Sequence, residues 1–253
     1  VSSEVVSCLK NAAEAVGVKW LTQTSVLRIE KLGINGFRSH CRGSKFLDSQ
    51  MVLLATGGHP SGRKIALSLG HKIVDPVPSL FTFALDEPCL TSCSGIALNN
   101  VEISLLVGKN SFRERGRILL THWGLSGPAI LRITSFAARD LFFNKYKARL
   151  KINWIGKTFD EAIQIFKYSR QAKASCTLKK HCPFQGFPKN LWLSILKRNN
   201  IDPLIRWSEM PKKFEKLLIN ELTNGNYKIS GRGPFGEEFV TAGGVDLNEV
   251  NLR

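Results

Sequence analysis

Carboxylates are scarce in this sequence. Against 36 Lys and Arg stand 20 Asp and Glu in 253 residues, a formal charge of +16 at pH 7. Such an imbalance directs attention to anionic partners, which are nucleic acid, an acidic membrane surface or a phosphorylated cofactor, although cations spread through the chain as these are fit a solvated basic surface better. Cysteine is also sparse. Six irregularly spaced cysteines are too few for a disulfide framework in a chain this long. Neither Cys89-x3-Cys93 nor Cys176-x4-His181-Cys182 supplies the paired C-x2-C units of a structural zinc site, so free thiols in a reducing compartment are expected and no metal. No apolar run reaches the ~18 to 20 residues of a membrane span. There is no P-loop, no Gly-x-Ser-x-Gly elbow and no His-Glu-x-x-His helix, which removes the signatures of three large enzyme classes. Internal repeats and coiled-coil heptads are missing too. The chain opens at Val1 with neither an initiator Met nor a signal-like segment, as expected of a fragment or processed form of an intracellular, soluble protein of the cytoplasm or of an organelle such as the plastid.

Hydrophobic residues make up 43% and aromatic residues 9%, a globular composition able to fill one large domain or two modest ones. Residues 51–58, Met-Val-Leu-Leu-Ala-Thr-Gly-Gly, organise the first part. The uncharged run up to Ala55 suits a strand buried on both faces, and Thr56, Gly57 and Gly58 then allow a tight turn. A flat or phosphorylated ligand can approach such a turn closely, although the same run also serves as a strand and a turn alone. Upstream, apolar residues at helical spacing from Ser3 to Val16 and the capping Gly17 define an amphipathic helix. Residues 18–21, 25–31, 36–41 and 46–55 read as strands. Downstream, Ser61 is placed to cap a short helix that Gly70 ends. Asp75, Pro76 and Pro78 mark a domain boundary.

Beyond it, residues 80–85, 101–107 and 117–121 read as strands. Residues 146–155 alternate strictly, with Tyr146, Ala148, Leu150, Ile152 and Trp154 on one face and Lys147, Arg149 and Lys151 on the other. Gly124-Leu-Ser-Gly-Pro128 opens a helix to about Leu141 with Ser126 as its cap. Just before it, His122 is the candidate catalytic residue, an imidazole placed to move a proton or orient a substrate, or else a histidine satisfied by backbone groups. Thr158 and Glu161 form a capping box, and residues 189–198 and 211–222 are amphipathic helices. The Gly231-x-Gly233-x-x-Gly236 string is a chance match, because Pro234 stiffens the loop and a strand follows where the dinucleotide fingerprint needs a helix. Near the end, Ala242, Gly243 and Gly244 give a second glycine pair after a β-prone run, a second turn placed to flank one ligand together with the first.

Several strings combine. Residues 51–58, Leu69-Gly-His-x-Ile73, Pro78-Ser-Leu80, Ser111-Phe112, Leu120-Thr-His-x-Gly-Leu-Ser-Gly-Pro-Ala-Ile-Leu131 and Val240-Thr-Ala-Gly-Gly-Val245 together resemble the YhiN/BaiN-like family of FAD-dependent oxidoreductases, also called aminoacetone-oxidase-like. The resemblance spans nearly the whole chain and is weakest over residues 157–226. It implies an α/β fold: a partial glutathione-reductase-type FAD-binding domain, residues 1–74 and 237–253, interrupted at 75–236 by an inserted α+β substrate or lid domain with barrel-like strands and helices. It implies that Ala55, Thr56, Gly57, Gly58, Ala242, Gly243 and Gly244 lie beside FAD. It further implies a small-molecule substrate and a nicotinamide cofactor or another electron donor. Family members begin with Gly-x-Gly-x-x-Gly on a first strand and end with a Phe-Ala-Gly-Glu segment; this chain has neither, so it resembles the middle of such an enzyme. A basic nucleic-acid or anion-binding module without catalytic activity, using Lys147, Arg149 and Lys151, ranks second, since the aromatics fall mainly on the apolar faces.

Overall fold

A computed structural model describes residues 2–234 and 240–251. The chain divides into two compact units, Val1–Val74 with Gly244–Arg253, and Asp75–Gly243.

The first unit opens with α1 (Ser2–Ala15), which Gly17 ends in a left-handed conformation at φ 91°, as the sequence indicates. Three strands, β1 (Val26–Lys31), β2 (Phe37–Cys41) and β3 (Lys45–Ser49), form an antiparallel meander in which Arg38 faces Asp48 and joins it through two hydrogen bonds of 2.7 Å. Two expectations fail here. Residues 18–21 are not a strand, and residues 51–55 are neither a strand nor buried, Met51 being 84% and Leu53 88% exposed. A strand needs neighbours for its N–H and C=O groups, and no described strand pairs with this segment. The apolar stripe of α1 is likewise uncovered, with no buried residue in the helix. A small core remains around Ile29, Cys41, Ile65 and Ala66, the last two from α2 (Pro60–Ser68).

The second unit is a closed barrel of six strands with helices beside it. β4 (Ile73–Ser79) pairs with β11 (Val240–Val245) in a separate two-stranded sheet. The barrel order is β10 (Gly225–Arg232), β5 (Phe83–Leu85), β8 (Gly124–Ser126), β7 (Asn110–Thr121), β6 (Ala97–Val107) and β9 (Ala148–Asn153). The period of two read from residues 146–155 holds: Leu150 and Ile152 are fully buried, while Arg149 and Lys151 are exposed. Val101, Ile103, Leu105, Ile118, Leu120 and Ile229 complete the same interior, each contributing about 1.5 to 3 kcal/mol by burial.

The helices follow their caps. The Thr158–Glu161 box starts α6 (Phe159–Ala172), α7 (Lys189–Arg198) buries the stripe that its spacing marks, and α8 (Lys212–Asn224) buries Leu218 and Leu222 of its stripe while Leu217 stays exposed. Each buried tryptophan finds a polar partner: Trp154 donates to the Tyr227 hydroxyl at 2.9 Å, Trp192 to the Leu178 carbonyl at 2.7 Å and Trp207 to the His181 carbonyl at 3.2 Å. Around the Gly-Pro string the outcome differs. Ser126 belongs to β8, Gly127 precedes the helix without a side-chain cap, and the helix breaks into α4 (Pro128–Phe136) and α5 (Ala138–Phe143). Pairing with β5 and β7 takes the segment up to Ser126 into the sheet before a helix can start. A short α3 (Pro88–Thr91) completes the inventory. Residues 235–239, and with them Gly236, lie outside the described residues. No described helix is long and apolar enough to cross a membrane.

Candidate functional site

The turn at Thr56, Gly57 and Gly58 forms, although the run before it is not a strand. Gly57 takes φ 56°, and a β-carbon on Gly57 or Gly58 would meet nothing within 4 Å. The inner side is the opposite. A β-carbon on Gly62, in the first turn of α2, would lie 2.0 Å from the Thr56 hydroxyl oxygen, so only glycine lets the helix start against the turn. The helix cap is His59 rather than the expected Ser61: the Ser61 N–H donates to His59 Nδ1 at 3.2 Å. Arg63 donates to the Gly58 carbonyl at 2.9 Å and pins the turn from the helix side. This is backbone open outward and fixed inward, beside a helix N-terminus and an arginine, an arrangement that fits a flat or phosphorylated ligand such as a flavin nucleotide. Elsewhere in the first unit, Val52, Leu54, Ala66, Leu69 and Val245 line an apolar cavity of about 500 Å³. The Leu-Gly-His string has a structural use there, since His71 Nδ1 and the Lys72 N–H both lie 3.0 Å from the Glu249 carboxylate.

The second glycine pair is not a turn. Ala242, Gly243 and Gly244 are part of β11, with φ 135° at Gly243 and 126° at Gly244, conformations that L side chains rarely adopt. The Ala242 carbonyl accepts a hydrogen bond of 3.4 Å from Arg139, which also donates to the Asp75 carbonyl at 3.1 Å. Arg139 thus fastens both strands of the small sheet. No sequence signal singles it out.

His122 stands at the end of β7, exposed, edge-on to Trp123 with ring centroids 4.5 Å apart and with no hydrogen bond among the described residues. No described backbone group bonds its ring. The glycines around it serve the barrel: a β-carbon on Gly124 would lie 2.2 Å from the Phe83 carbonyl oxygen and one on Gly127 2.9 Å from Ile118 Cα. Beside His122, Trp123 donates to the Thr82 hydroxyl at 3.2 Å, and Gly233 packs so closely on both that a β-carbon would come within 2.1 Å of that hydroxyl. This rim of His122, Trp123, Thr82 and Gly233 is assembled from three separate segments and was invisible in the sequence.

Two strong pKa displacements lie elsewhere in the second unit. Burial and the neighbouring Glu221 charge hold the Tyr227 hydroxyl well above its ordinary range, and burial pushes the Cys182 thiol up to about 11. Both belong to the packed interior rather than to the rim or the turn.

Residues 77–240 match the model of the HI0933-like protein barrel and H2TH domain. The chain belongs to the HI0933-like family. Its closed barrel and flanking helices are the part matched. This HI0933-like chain is 26% identical over 259 residues to a protein named ribosomal RNA dihydrouridine synthase from Escherichia coli (strain K12), covering all of this chain and 62% of that protein. A protein of the same name from Haemophilus influenzae is 29% identical over 147 residues, 53% of this chain and 36% of the relative. The 3-dehydro-bile acid delta(4,6)-reductase of Clostridium scindens is 26% identical over 244 residues, 88% of this chain and 57% of the relative. The chain therefore spans less than two thirds of the length of these relatives.

Proposed function

We propose that this chain is the central part of a flavin-dependent reductase of the YhiN/BaiN-like branch, acting on a carbon–carbon double bond conjugated to a carbonyl group. The observation that carries this reading is the chemistry shared by its relatives' names. A dihydrouridine is a uridine whose ring double bond has been reduced, and a delta(4,6)-reductase reduces ring double bonds. In this reading residues 1–74 and 237–253 belong to a glutathione-reductase-type FAD domain and 75–236 to the inserted substrate domain. The insert's role as lid or substrate wall is part of the same proposal.

When bound, FAD would supply the hydride or electrons, replenished by a nicotinamide cofactor or another donor. Gly57 and Gly58 would hold it through bare backbone, and Thr56 and Arg63 keep that backbone in place. Reducing a conjugated double bond also needs a proton at the second carbon. His122, exposed and without a hydrogen-bond partner among the described residues, is the residue assigned to hold and deliver it. The substrate is a small molecule or a base within a larger one.

Flavin retention tests the reading. The purified chain, and the same chain extended to the length of its relatives, are incubated with FAD, desalted and scanned for bound flavin. Retention that Gly58→Val abolishes, by filling the open side of the turn without demanding a strained φ, is the expected result. Absence of flavin from the extended chain overturns it.

A further inference from the structure

The outer face of the barrel carries a feature that the reductase reading leaves unused. Lys147, Arg149 and Lys151 project outward at the start of and along β9, about 7 Å apart by strand geometry. The register places Arg149 directly opposite Lys228 of β10. It also places Ser104 of β6 between Lys151 and Arg113 of β7. Like charges directly opposite destabilise a sheet. Nothing offsets them here: among the described residues none of these five cations makes an ion pair, and the nearby carboxylates are committed elsewhere. Glu102 pairs with Arg115 at 3.5 Å, Glu114 with Arg132 at 3.0 Å and Glu87 with Arg198 at 3.1 Å.

The cations sit in relief. One groove of about 570 Å³ takes in Arg113, Arg115 and Lys151 together with Asn224 and the paired carboxylates of Glu102 and Glu114, and another of about 670 Å³ takes in Lys147, Arg149, Lys228 and Asn226 with Glu87.

We propose that this face binds single-stranded RNA, the cations holding its phosphates. An acidic bilayer offers the same charge. A recess favours the strand, because a flexible backbone follows a groove that a planar headgroup surface cannot enter, and the amides of Asn224 and Asn226 match ribose hydroxyls. The proposal is independent of the flavin reading, because its readout needs no cofactor.

The test is the affinity of the full chain for a labelled RNA of about 20 nucleotides across a salt series. Each phosphate contact contributes about 0.7 to the slope of log affinity against log salt for a single strand. The triple variant Arg149→Gln, Lys151→Gln, Lys228→Gln is expected to bind at least about tenfold more weakly with the slope reduced by about 2. The charge-matched control Lys212→Gln, Lys213→Gln, Lys216→Gln, exposed on α8, is expected to change affinity less than about twofold. Lys228→Gln should meanwhile raise the melting midpoint of the free protein by relieving Arg149, which also shows that the variant folds. Equal losses in the two triple variants would reduce the effect to net charge and overturn the proposal. So would undetectable binding at low salt, or binding confined to phosphatidylserine vesicles.

Discussion

Gly124 and Phe83 lie on neighbouring barrel strands, and a β-carbon on Gly124 would stand 2.2 Å from the Phe83 carbonyl oxygen. Gly124 also takes φ 151°. Gly124→Ala therefore combines strain with overpacking, each worth about 1 to 3 kcal/mol. A loss of at least about 3 kcal/mol by denaturant titration is the expected outcome. A loss under about 1 kcal/mol would mean that β5 and β8 are not held so tightly.

A buried network joins the barrel to its helices. Arg198 of α7 bonds Glu221 of α8 at 2.8 Å and Glu87 at 3.1 Å and stacks on the Tyr227 ring at 4.7 Å, while the Tyr227 hydroxyl donates to Glu221. Removing one partner strands the others: Arg198→Met leaves Glu221, 6% exposed, without its counter-ion. The cost is expected near about 3 kcal/mol, the low end for a buried pair because the arginine keeps 22% exposure. Adding Glu221→Gln should restore part of it, and a double-mutant cycle in urea measures the coupling.

Tyr227 gives the same network a pH signature. Burial and then the Glu221 charge raise its pKa well above 10. Above pH 10 the unfolded chain loses this proton and the folded chain keeps it. The contribution is therefore complete below pH 10 and is lost as pH climbs toward the folded value, at about 1.4 kcal/mol per pH unit for one group. In Tyr227→Phe the decline of stability above pH 10 should be shallower by that slope. Identical slopes in the two proteins would contradict the assignment.

How much of this was legible depended on range. The Thr158–Glu161 box, the α7 and α8 stripes and the alternation around β9 are written within a few residues of one another, and each is where the sequence places it. The Thr56-Gly57-Gly58 turn was legible too, but the burial of the segment before it was not, because burial belongs to whatever lies alongside. Gly243 and Gly244 looked like a turn since two glycines usually are one; strand pairing with β4 decides otherwise. The juxtaposition of Arg149 with Lys228, 79 positions apart, follows from barrel closure alone. Ser126 lost its capping role to the same closure.

Cys182 should be slow to react. Burial pushes its thiol up to about 11, against about 9 for an ordinary thiol. At pH 8 its thiolate fraction is then about a hundredfold lower than that of an unperturbed thiol. Timed iodoacetamide labelling read by mass spectrometry should show the exposed Cys8 modified well before Cys182. Comparable rates would place Cys182 in a more open setting.

The candidate turn can be examined without any ligand. Gly62→Ala drives a β-carbon to within 2.0 Å of the Thr56 hydroxyl oxygen and 3.1 Å of its β-carbon, and the short threonine side chain has little room to rotate away. The substitution is therefore expected to destabilise the chain by about 1 to 3 kcal/mol. Thr56→Ala removes the hydroxyl but keeps the β-carbon, so the double variant should recover most of that loss, a coupling of at least about 1 kcal/mol between residues six positions apart. If the two substitutions are simply additive, Gly62 does not support the turn. If they couple, flavin retention by the double variant separates the parts: a turn held by packing alone should keep its ligand, whereas one that uses the Thr56 hydroxyl should lose it while the fold survives.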